Sequence, residues 1–181
     1  MELPLLRKRC EQRAIPLIST QTELLLSNIL QQYRPKNCLE IWSAVGYSGI
    51  FISSIISKRW WGLTSFEIGY HSYKEALLHT HEAAALSLTL YPFDFTNIEI
   101  SRLITGDIDF VFVDGQKNQY LDYLMKIEDM VGTKCILVFD DVLKYKSKLS
   151  SLYGYLEKKQ IIYQIIESEP GDWIMVIHLG W

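Results

Sequence analysis

Residues 110–141 read FVFVDGQKNQYLDYLMKIEDMVGTKCILVFDD, and this stretch decides the fold. It opens with an apolar run at 110–113 and closes with another at 135–139, and neither run alternates with polar residues. Between them, residues 118–131 have the apolar spacing of a helix. Continuous apolar strands separated by a helix are typical of a buried parallel sheet, because helices cover both of its faces. The stretch therefore predicts a strand–helix–strand unit.

The same alternation continues on both sides of this unit. We predict further strands at 38–42, 63–68, 86–91, 161–166 and 173–179, and further helices at 20–33, 47–58, 71–85 and 146–159. The helix at 20–33 opens with a candidate capping box, Thr20 to Glu23. Glu169 to Asp172 is a turn sequence, so the last two strands should pair antiparallel. The predicted fold class is α/β, a doubly wound, mostly parallel seven-stranded sheet with a C-terminal antiparallel hairpin.

Length, charge and cysteine usage argue against nucleic-acid binding, membrane spans and a disulfide framework. The 181 residues suit one domain, with an N-terminal helical part at 1–36 and a sheet core at 37–181. A net charge of −3 gives no strong attraction to nucleic acid or anionic membranes. No apolar stretch approaches the roughly 18 residues of a membrane span. The three cysteines lack metal-type spacing and disulfide patterning, so we expect a cytoplasmic protein.

Acidic residues follow the predicted strands where each one ends: Glu40, Glu67, Asp114, Asp140 and Asp141. Any one of them alone would be interpreted as a helix cap or a loop acid. The carboxyl ends of parallel strands meet at one edge of the sheet, where ligands of this fold class bind. Like charges gathered there repel unless a cation shares them. We therefore expect an acidic, cofactor-sized crevice, in which the three aspartates offer the oxygen ligands that Mg²⁺ accepts.

Four segments together resemble one known family. They are LEIWSAVGYS at 39–48, FEI at 66–68, VDGQKNQYLDYL at 113–124 and FDDVL at 139–143. They resemble motifs of the metal-dependent class I S-adenosylmethionine O-methyltransferases, the catechol and caffeoyl-CoA group, which includes bacterial tRNA hydroxyuridine methyltransferases. The segment Asp-x-x-Lys-x-x-Tyr with the later Asp-Asp pair is the specific part of the resemblance.

The resemblance implies a Rossmann-like methyltransferase fold and a set of cofactor-binding residues. Those residues would be Glu40, Trp42, Ser43, Gly46, Ser48, Glu67 and Asp94. Glu67 would hold the ribose hydroxyls of S-adenosylmethionine, and Asp94 would lie near the adenine. The first motif would surround the methionine part.

The resemblance also implies a metal-assisted reaction. Asp114, Asp140 and Asp141 would bind a divalent metal, Mg²⁺ first among the candidates, and Lys117 with Asp114 would be catalytic. Lys117 would assist deprotonation of the substrate hydroxyl; its other interpretation is a surface lysine or an ion-pair partner of one of the acids. The substrate would be a phenolic or vicinal-hydroxyl small molecule, or a modified tRNA base. A homodimer is possible in such a family.

Two positions depart from the family pattern. Trp42 stands where the family has glycine, and a residue with a Cβ resists the left-handed backbone that glycine accepts there. Trp42 either turns into the core or fills the cofactor site. Asp141 stands where asparagine is more usual, and it keeps an oxygen ligand.

Three other functions compete with the methyltransferase. The main one is a binding or scaffold protein that kept the fold and lost the cofactor, and Trp42 in place of glycine is the best evidence for it. A dinucleotide-dependent dehydrogenase is disfavoured, because Gly-x-Gly-x-x-Gly does not follow the first strand. A phosphoacceptor receiver domain is disfavoured as well, because its acidic pair follows the first strand and here the pair follows the fifth.

Overall fold

Seven strands form one sheet, and helices pack on both of its faces. The computed structural model describes residues 1–56, 61–97, 99, 103–104 and 106–180. The helices among these residues are α1 Leu3–Gln12, α2 Thr20–Tyr33, α3 Tyr47–Ile56, α4 Tyr70–Glu82, α5 Tyr120–Glu128 and α6 Ser150–Lys159. The strands are β1 Asn37–Ile41, β2 Gly62–Phe66, β3 Leu88–Tyr91, β4 Ile108–Val113, β5 Val131–Phe139, β6 Tyr163–Glu169 and β7 Asp172–Leu179.

The strand order is β3-β2-β1-β4-β5-β7-β6, and the first five strands run parallel. Strand β1 lies between β2 and β4, with Ile41 in register with Phe66 on one side and Val113 on the other. Strand β7 runs antiparallel between β5 and β6. This confirms the predicted fold class. The chain builds outward from β1 to β3 and then returns to β4, so the switch point lies between the ends of β1 and β4.

Successive residues of the central strands enter two different cores. Cys38 of β1 packs with the helices α1 to α4, while its neighbour Leu39 packs with α5 and α6. This is the period of two that a strand covered on both faces requires. The two cores hold the strand ends, and hence the candidate site, at fixed positions.

The structure adds one helix to the prediction. Helix α1 begins after Glu2 with Pro4 in its first turn, where a missing backbone N–H costs nothing. Its residues Leu6 and Cys10 are buried on one face. The N-terminal part is therefore two helices, α1 and α2, where the sequence predicted only the second.

The start of α2 corrects the predicted capping box. Ser19 is the N-cap, and its hydroxyl accepts the backbone N–H of Thr22 at 3.0 Å. Glu23, expected to complete the box, instead bonds Arg7 and Tyr47 from other elements. Ser19 therefore caps α2 alone, and Glu23 forms tertiary contacts instead of the second half of a capping box.

Other boundaries shift by a few residues. The helix predicted at 118–131 is a 3₁₀ turn at Lys117–Gln119 followed by α5, and the one predicted at 146–159 likewise opens with a 3₁₀ turn. The helix predicted at 47–58 ends at Ile56, and its last two predicted residues lie outside the described residues.

The three cysteines are buried thiols. Cys10, Cys38 and Cys135 are unpaired, and burial raises the pKa of each. No described helix combines the length and apolar character that a membrane span needs.

Candidate active site at the strand ends

The loop after β1 has an unusual backbone. Its alternate residues Trp42, Ala44 and Gly46 adopt positive φ angles of 73°, 45° and 87°. Such a conformation costs a residue with a Cβ about 1–2 kcal/mol. At Gly46 a Cβ would also lie 3.1 Å from the Cβ of Ala76 on α4, so this position needs glycine for both reasons.

Strand β2 holds this loop in place. The backbone N–H groups of Trp42 and Ser43 donate to the carbonyl oxygen of Phe66 at 2.8 and 3.2 Å. The N–H of Ala44 donates to the Glu67 carboxylate at 2.8 Å. The loop that follows β1 is therefore fixed to the end of the neighbouring strand.

Glu67, expected to hold a ribose, is turned inward. Its side chain accepts the N–H of Gly69 at 2.6 Å and that of Ala44 through its other oxygen, and the residue is only 3% exposed. Burial raises the pKa of this carboxyl. In this conformation the two hydrogen bonds of Glu67 connect the loop after β1 to the loop after β2.

Glu40, expected beside the methionine part of the cofactor, is fully buried near the carboxyl end of the central strand β1. The hydroxyls of Ser48 and Ser65 donate to its two carboxylate oxygens at 2.5 and 2.6 Å. Burial raises the pKa of Glu40 to about 7, against the lowering effect of those two hydrogen bonds. Gly49 packs so closely that a Cβ there would lie 2.6 Å from the carboxylate. Glu40 and Ser48 thus bond each other and join β1, β2 and α3.

Asp94 lies three residues beyond the end of β3. Its carboxylate accepts the backbone N–H and hydroxyl of Thr96 at 2.8 and 2.7 Å and the amide of Asn97 at 3.0 Å. These bonds are those of an Asx-type turn, which closes the loop locally.

Lys117 lies between the ends of β4 and β5. Its ammonium group donates to Asp114 at 2.8 Å and to the Tyr120 hydroxyl at 2.7 Å, and it lies 3.5 Å from the Asp141 carboxylate. The lysine side chain is 11% exposed, so these interactions are only weakly screened by solvent. The structure brings together Lys117, Asp114 and Asp141, as the sequence predicted.

The acidic cluster is destabilised by its own charges. Burial raises the pKa of Asp140, and the neighbouring carboxylates raise it further. Burial also raises the pKa of Asp114, although the nearby Lys117 ammonium lowers it. Asp172 at the start of β7 adds a further negative charge to both, and the sequence interpretation missed it. A cation other than Lys117 would stabilise this cluster.

The three aspartates do not form a ready metal site as they stand. One Asp140 oxygen accepts the N–H of Asp141, and Asp114 and Asp141 both face the Lys117 ammonium. Within the described ranges no group of three or more acidic, histidine or cysteine side chains is arranged to hold an ion. The donor chemistry suits a hard cation, but the geometry suits the ammonium group.

The space beside these residues is small. The cavity measures about 30 Å³ and is lined by Trp42, Ser43, Asp114 and the segment 16–18, among others. Small-molecule sites are usually about 300–1,000 Å³. This cavity is therefore smaller than the cofactor-sized crevice predicted from the strand ends, and Trp42 is one of the residues that line it.

An ion pair holds the segment that covers this cavity. Arg7 of α1 donates to the Ile18 carbonyl at 2.9 Å, to Glu23 at 2.7 Å and to the Tyr47 hydroxyl at 3.1 Å. Tyr47 begins α3 and Ile18 lies in the covering segment. Arg7 is thus a partly buried contact between α1, α2 and α3.

The sequence analysis assigned no role to three residues that support the site. Tyr120 donates to the Asp140 carbonyl at 3.0 Å, and Tyr123 lies against Gly115. His79 on α4 is 8% exposed, and its Nδ1 lies 2.8 Å from the carbonyl oxygen of Val45 in the loop after β1. The aromatic spacing of 120 and 123 was visible, but its meaning depends on the packing of α5.

Comparison with solved structures identifies the fold. TomG, an O-methyltransferase from Streptomyces achromogenes involved in tomaymycin synthesis and solved with S-adenosylmethionine, superposes with a TM-score of 0.83 at 17% identity, covering 98% of this chain and 89% of TomG. An O-methyltransferase from Bacillus cereus solved with S-adenosylhomocysteine gives 0.80 at 15% identity, covering 97% and 89%. The chain has the O-methyltransferase fold. A methyltransferase from Geobacter sulfurreducens superposes on this chain with a TM-score of 0.78 at 16% identity, covering 98% of this chain and 89% of the other. No protein-family model matches the sequence.

Proposed function

We propose that the chain is an S-adenosylmethionine-dependent O-methyltransferase. The observation that carries the proposal is the Lys117 ammonium, on a side chain only 11% exposed, held by Asp114 at the switch-point edge of an O-methyltransferase fold. Ligands of doubly wound sheets bind at that edge. The two solved relatives that contain S-adenosylmethionine or S-adenosylhomocysteine support the choice of donor.

Lys117 and Asp114 are the proposed catalytic pair. In methyl transfer the new C–O bond forms as the C–S bond of S-adenosylmethionine breaks, which leaves S-adenosylhomocysteine. The aligned hydroxyl gives its proton to solvent, and partial negative charge develops on its oxygen. An ammonium group fixed in a weakly solvated position stabilises such a charge without reorganising. Asp114 keeps Lys117 in that position through its 2.8 Å hydrogen bond, and Tyr120 supports it from the other side.

Metal assistance is a further part of the proposal. Asp114, Asp140 and Asp141 are the proposed ligands of a divalent cation, because their uncompensated charge favours one. Binding would require Asp114 and Asp141 to move relative to Lys117, since both carboxylates now face its ammonium group.

The proposed substrate is a phenolic or vicinal-hydroxyl small molecule. A modified tRNA base is the second possibility, and the net charge of −3 speaks against it. We further propose a cytoplasmic location and a possible homodimer.

Transfer of a labelled methyl group tests the proposal directly. The full chain is incubated with methyl-labelled S-adenosylmethionine and a panel of catechols and other phenols, with and without Mg²⁺. We expect transfer to at least one phenol, faster with Mg²⁺, and a kcat lowered about 10²-fold in Lys117→Ala. Lys148→Ala, at an exposed lysine near the same edge, should keep the wild-type rate.

Thermal unfolding of both variants shows whether they are folded. A folded Lys117→Ala variant with an unchanged rate removes Lys117 from the reaction. A wild-type chain that transfers no label, under either metal condition, contradicts the proposed activity.

One observation favours a second candidate, a non-catalytic binding protein with this fold. That observation is the small cavity beside Trp42. Calorimetric titration with S-adenosylmethionine separates the two candidates, because a scaffold that has lost the cofactor binds none.

A further inference from the structure

The indole of Trp42 lies across the switch point of the sheet. Trp42 follows directly after β1, and Gly115 follows two residues after β4, the adjacent parallel strand. The Cδ1 atom of Trp42 lies 2.8 Å from the point that a Cβ at position 115 would occupy. The ring therefore spans from the end of one strand to the backbone beyond the next, over the gap where this fold class takes its ligand.

Two neighbours enclose the indole in this position. One is Tyr123: burial raises the pKa of its hydroxyl against the lowering effect of the nearby Trp42 side chain, and that hydroxyl donates to the Gln119 side chain at 2.7 Å. Glycine at 115 leaves room for the ring, since a Cβ there would also lie 2.9 Å from Tyr123. Trp42 is half-buried against the core that contains α5. Release of the ring would cost its packing beside Gly115 and Tyr123 and would break no covalent or ionic bond.

The remaining space is large enough for water. The cavity of about 30 Å³ exceeds the roughly 10–15 Å³ that a cavity needs to admit one water molecule. Ser43 lines this cavity, and its hydroxyl is buried without a hydrogen-bond partner among the described residues. A buried hydroxyl left unpaired is usually satisfied by a ligand or an ordered water.

We propose that Trp42 is a gate on the nucleoside-binding crevice, closed in this structure, which must swing off Gly115 before an adenosyl ligand can enter. The inference rests on the proposed function. In the closed form the cavity beside Ser43 admits water; in the open form the indole leaves the gap between β1 and β4. Tyr123 is a positioning residue, because its side chain and the indole pack together around Gly115 in the closed form.

The gate lowers the apparent affinity for the ligand. If the open form is a minor state, it makes up about 0.1–10% of the molecules. The apparent Kd then equals the Kd of the open form divided by that fraction. Glycine at position 42 accepts the φ of 73° without strain and has no ring to move. Trp42→Gly should therefore bind S-adenosylmethionine at least about tenfold more tightly than the wild type.

Calorimetry on three forms of the full chain tests the gate. S-adenosylmethionine is titrated into wild type, Trp42→Gly and Tyr123→Phe, each checked by circular dichroism. Tyr123→Phe removes the hydroxyl and keeps the ring packing, so its affinity should lie between the other two. Trp173→Phe, on β7, is the control tryptophan and should bind as the wild type does.

A fluorescence readout does not depend on the folding of the glycine variant. The emission of Trp42, obtained by subtracting the spectrum of Trp42→Phe, should shift to the red when wild type is saturated, because the ring leaves an apolar surface for water. The same shift should accompany S-adenosylhomocysteine, which has the same nucleoside.

The outcomes separate the gate from the proposed function. Tight wild-type binding with no gain in Trp42→Gly or Tyr123→Phe, and no red shift, overturns the gate and leaves the methyltransferase proposal standing. Absence of binding by wild type and by both variants overturns the proposed function, and the gate with it.

Discussion

The carboxyl group of Glu40 is enclosed on all sides by β1, β2 and α3, with two serine hydroxyls as its hydrogen-bond donors. Its folded-state pKa of about 7 exceeds the ordinary value of 4.5. A carboxyl with a raised folded pKa keeps its proton in the folded state while the unfolded state has already lost it. Its ionisation therefore destabilises the fold progressively as pH rises from about 4.5 to about 7.

Glu40→Gln isolates this effect, because glutamine has the same shape and does not titrate. The free energy of unfolding of wild type should fall relative to Glu40→Gln by roughly 2 kcal/mol between pH 5 and pH 8. Urea denaturation of both proteins at matched pH measures the difference, in which the titration of all other groups cancels. A difference that stays constant across this pH range would show that Glu40 is ionised throughout.

At this scale the sequence predicted where the acids lie and missed what they bond. Glu40 and Glu67 were placed correctly at strand ends, but their partners Ser65 and Ala44 come from other strands and loops. The orientation of Trp42 likewise depends on Gly115 and Tyr123, which are about 70 and 80 residues further along the chain. Local spacing carries no information about such contacts.

Among the elements, α1 is the one that the sequence did not predict, and one side chain does much to attach it. Arg7 reaches from α1 to α2, to α3 and to the covering segment, and its side chain is 20% exposed. Arg9 on the same helix makes a single ion pair with Glu82 and is 51% exposed. The two arginines differ in burial and in number of partners, which makes them a matched pair.

Arg7→Ala should lower the free energy of unfolding by about 1–3 kcal/mol, because it leaves the Glu23 carboxylate and the Ile18 carbonyl without their donor. Arg9→Ala should cost about 0–1 kcal/mol, as exposed ion pairs do. The urea midpoints of the two variants report both values. Equal losses would mean that the Arg7 contacts are no stronger than surface ones.

Element identity was more predictable than element ends. Every predicted strand is present, since long apolar runs leave few alternatives, and the hairpin at 169–172 pairs antiparallel as its turn sequence indicated. Helix α1 was missed although its buried residues Leu6 and Cys10 are about one helical turn apart, because it is only ten residues long and the charged residues 7–9 interrupt its apolar ones. A helix this short is stable mainly through its tertiary contacts.

For the whole molecule, the sheet has a protected centre and an exposed margin. Strand β4 is paired on both sides and five of its six residues are buried, whereas none of β6, an edge strand, is fully buried. Amides of the centre exchange only through near-global unfolding, and edge amides through smaller openings.

Hydrogen exchange followed by mass spectrometry should rank the strands accordingly. Peptides covering 163–169 should exchange at least about tenfold faster than those covering 108–113. Peptides from β1 serve as the internal reference for the centre. Similar rates in β4 and β6 would indicate that the hairpin is as strongly anchored as the parallel core.

The overall topology followed from the sequence because the central strands are covered on both faces, helices follow β1, β2 and β4, and the turn sequence at 169–172 marks the hairpin, which leaves few arrangements. The size of the crevice did not follow, because it depends on one ring conformation at position 42. The hydrophobic pattern of the sequence predicts the fold and the position of the acidic residues. The size of the pocket depends on side-chain packing between distant residues, which that pattern does not encode.

The burial of all three thiols has a consequence for chemical modification. Only the thiolate reacts with alkylating reagents, and burial both shields these sulfurs and disfavours their ionisation. The native chain should therefore be inert to maleimides and iodoacetamide. A cysteine introduced at Leu86, which is 95% exposed, would be the single reactive handle on the molecule.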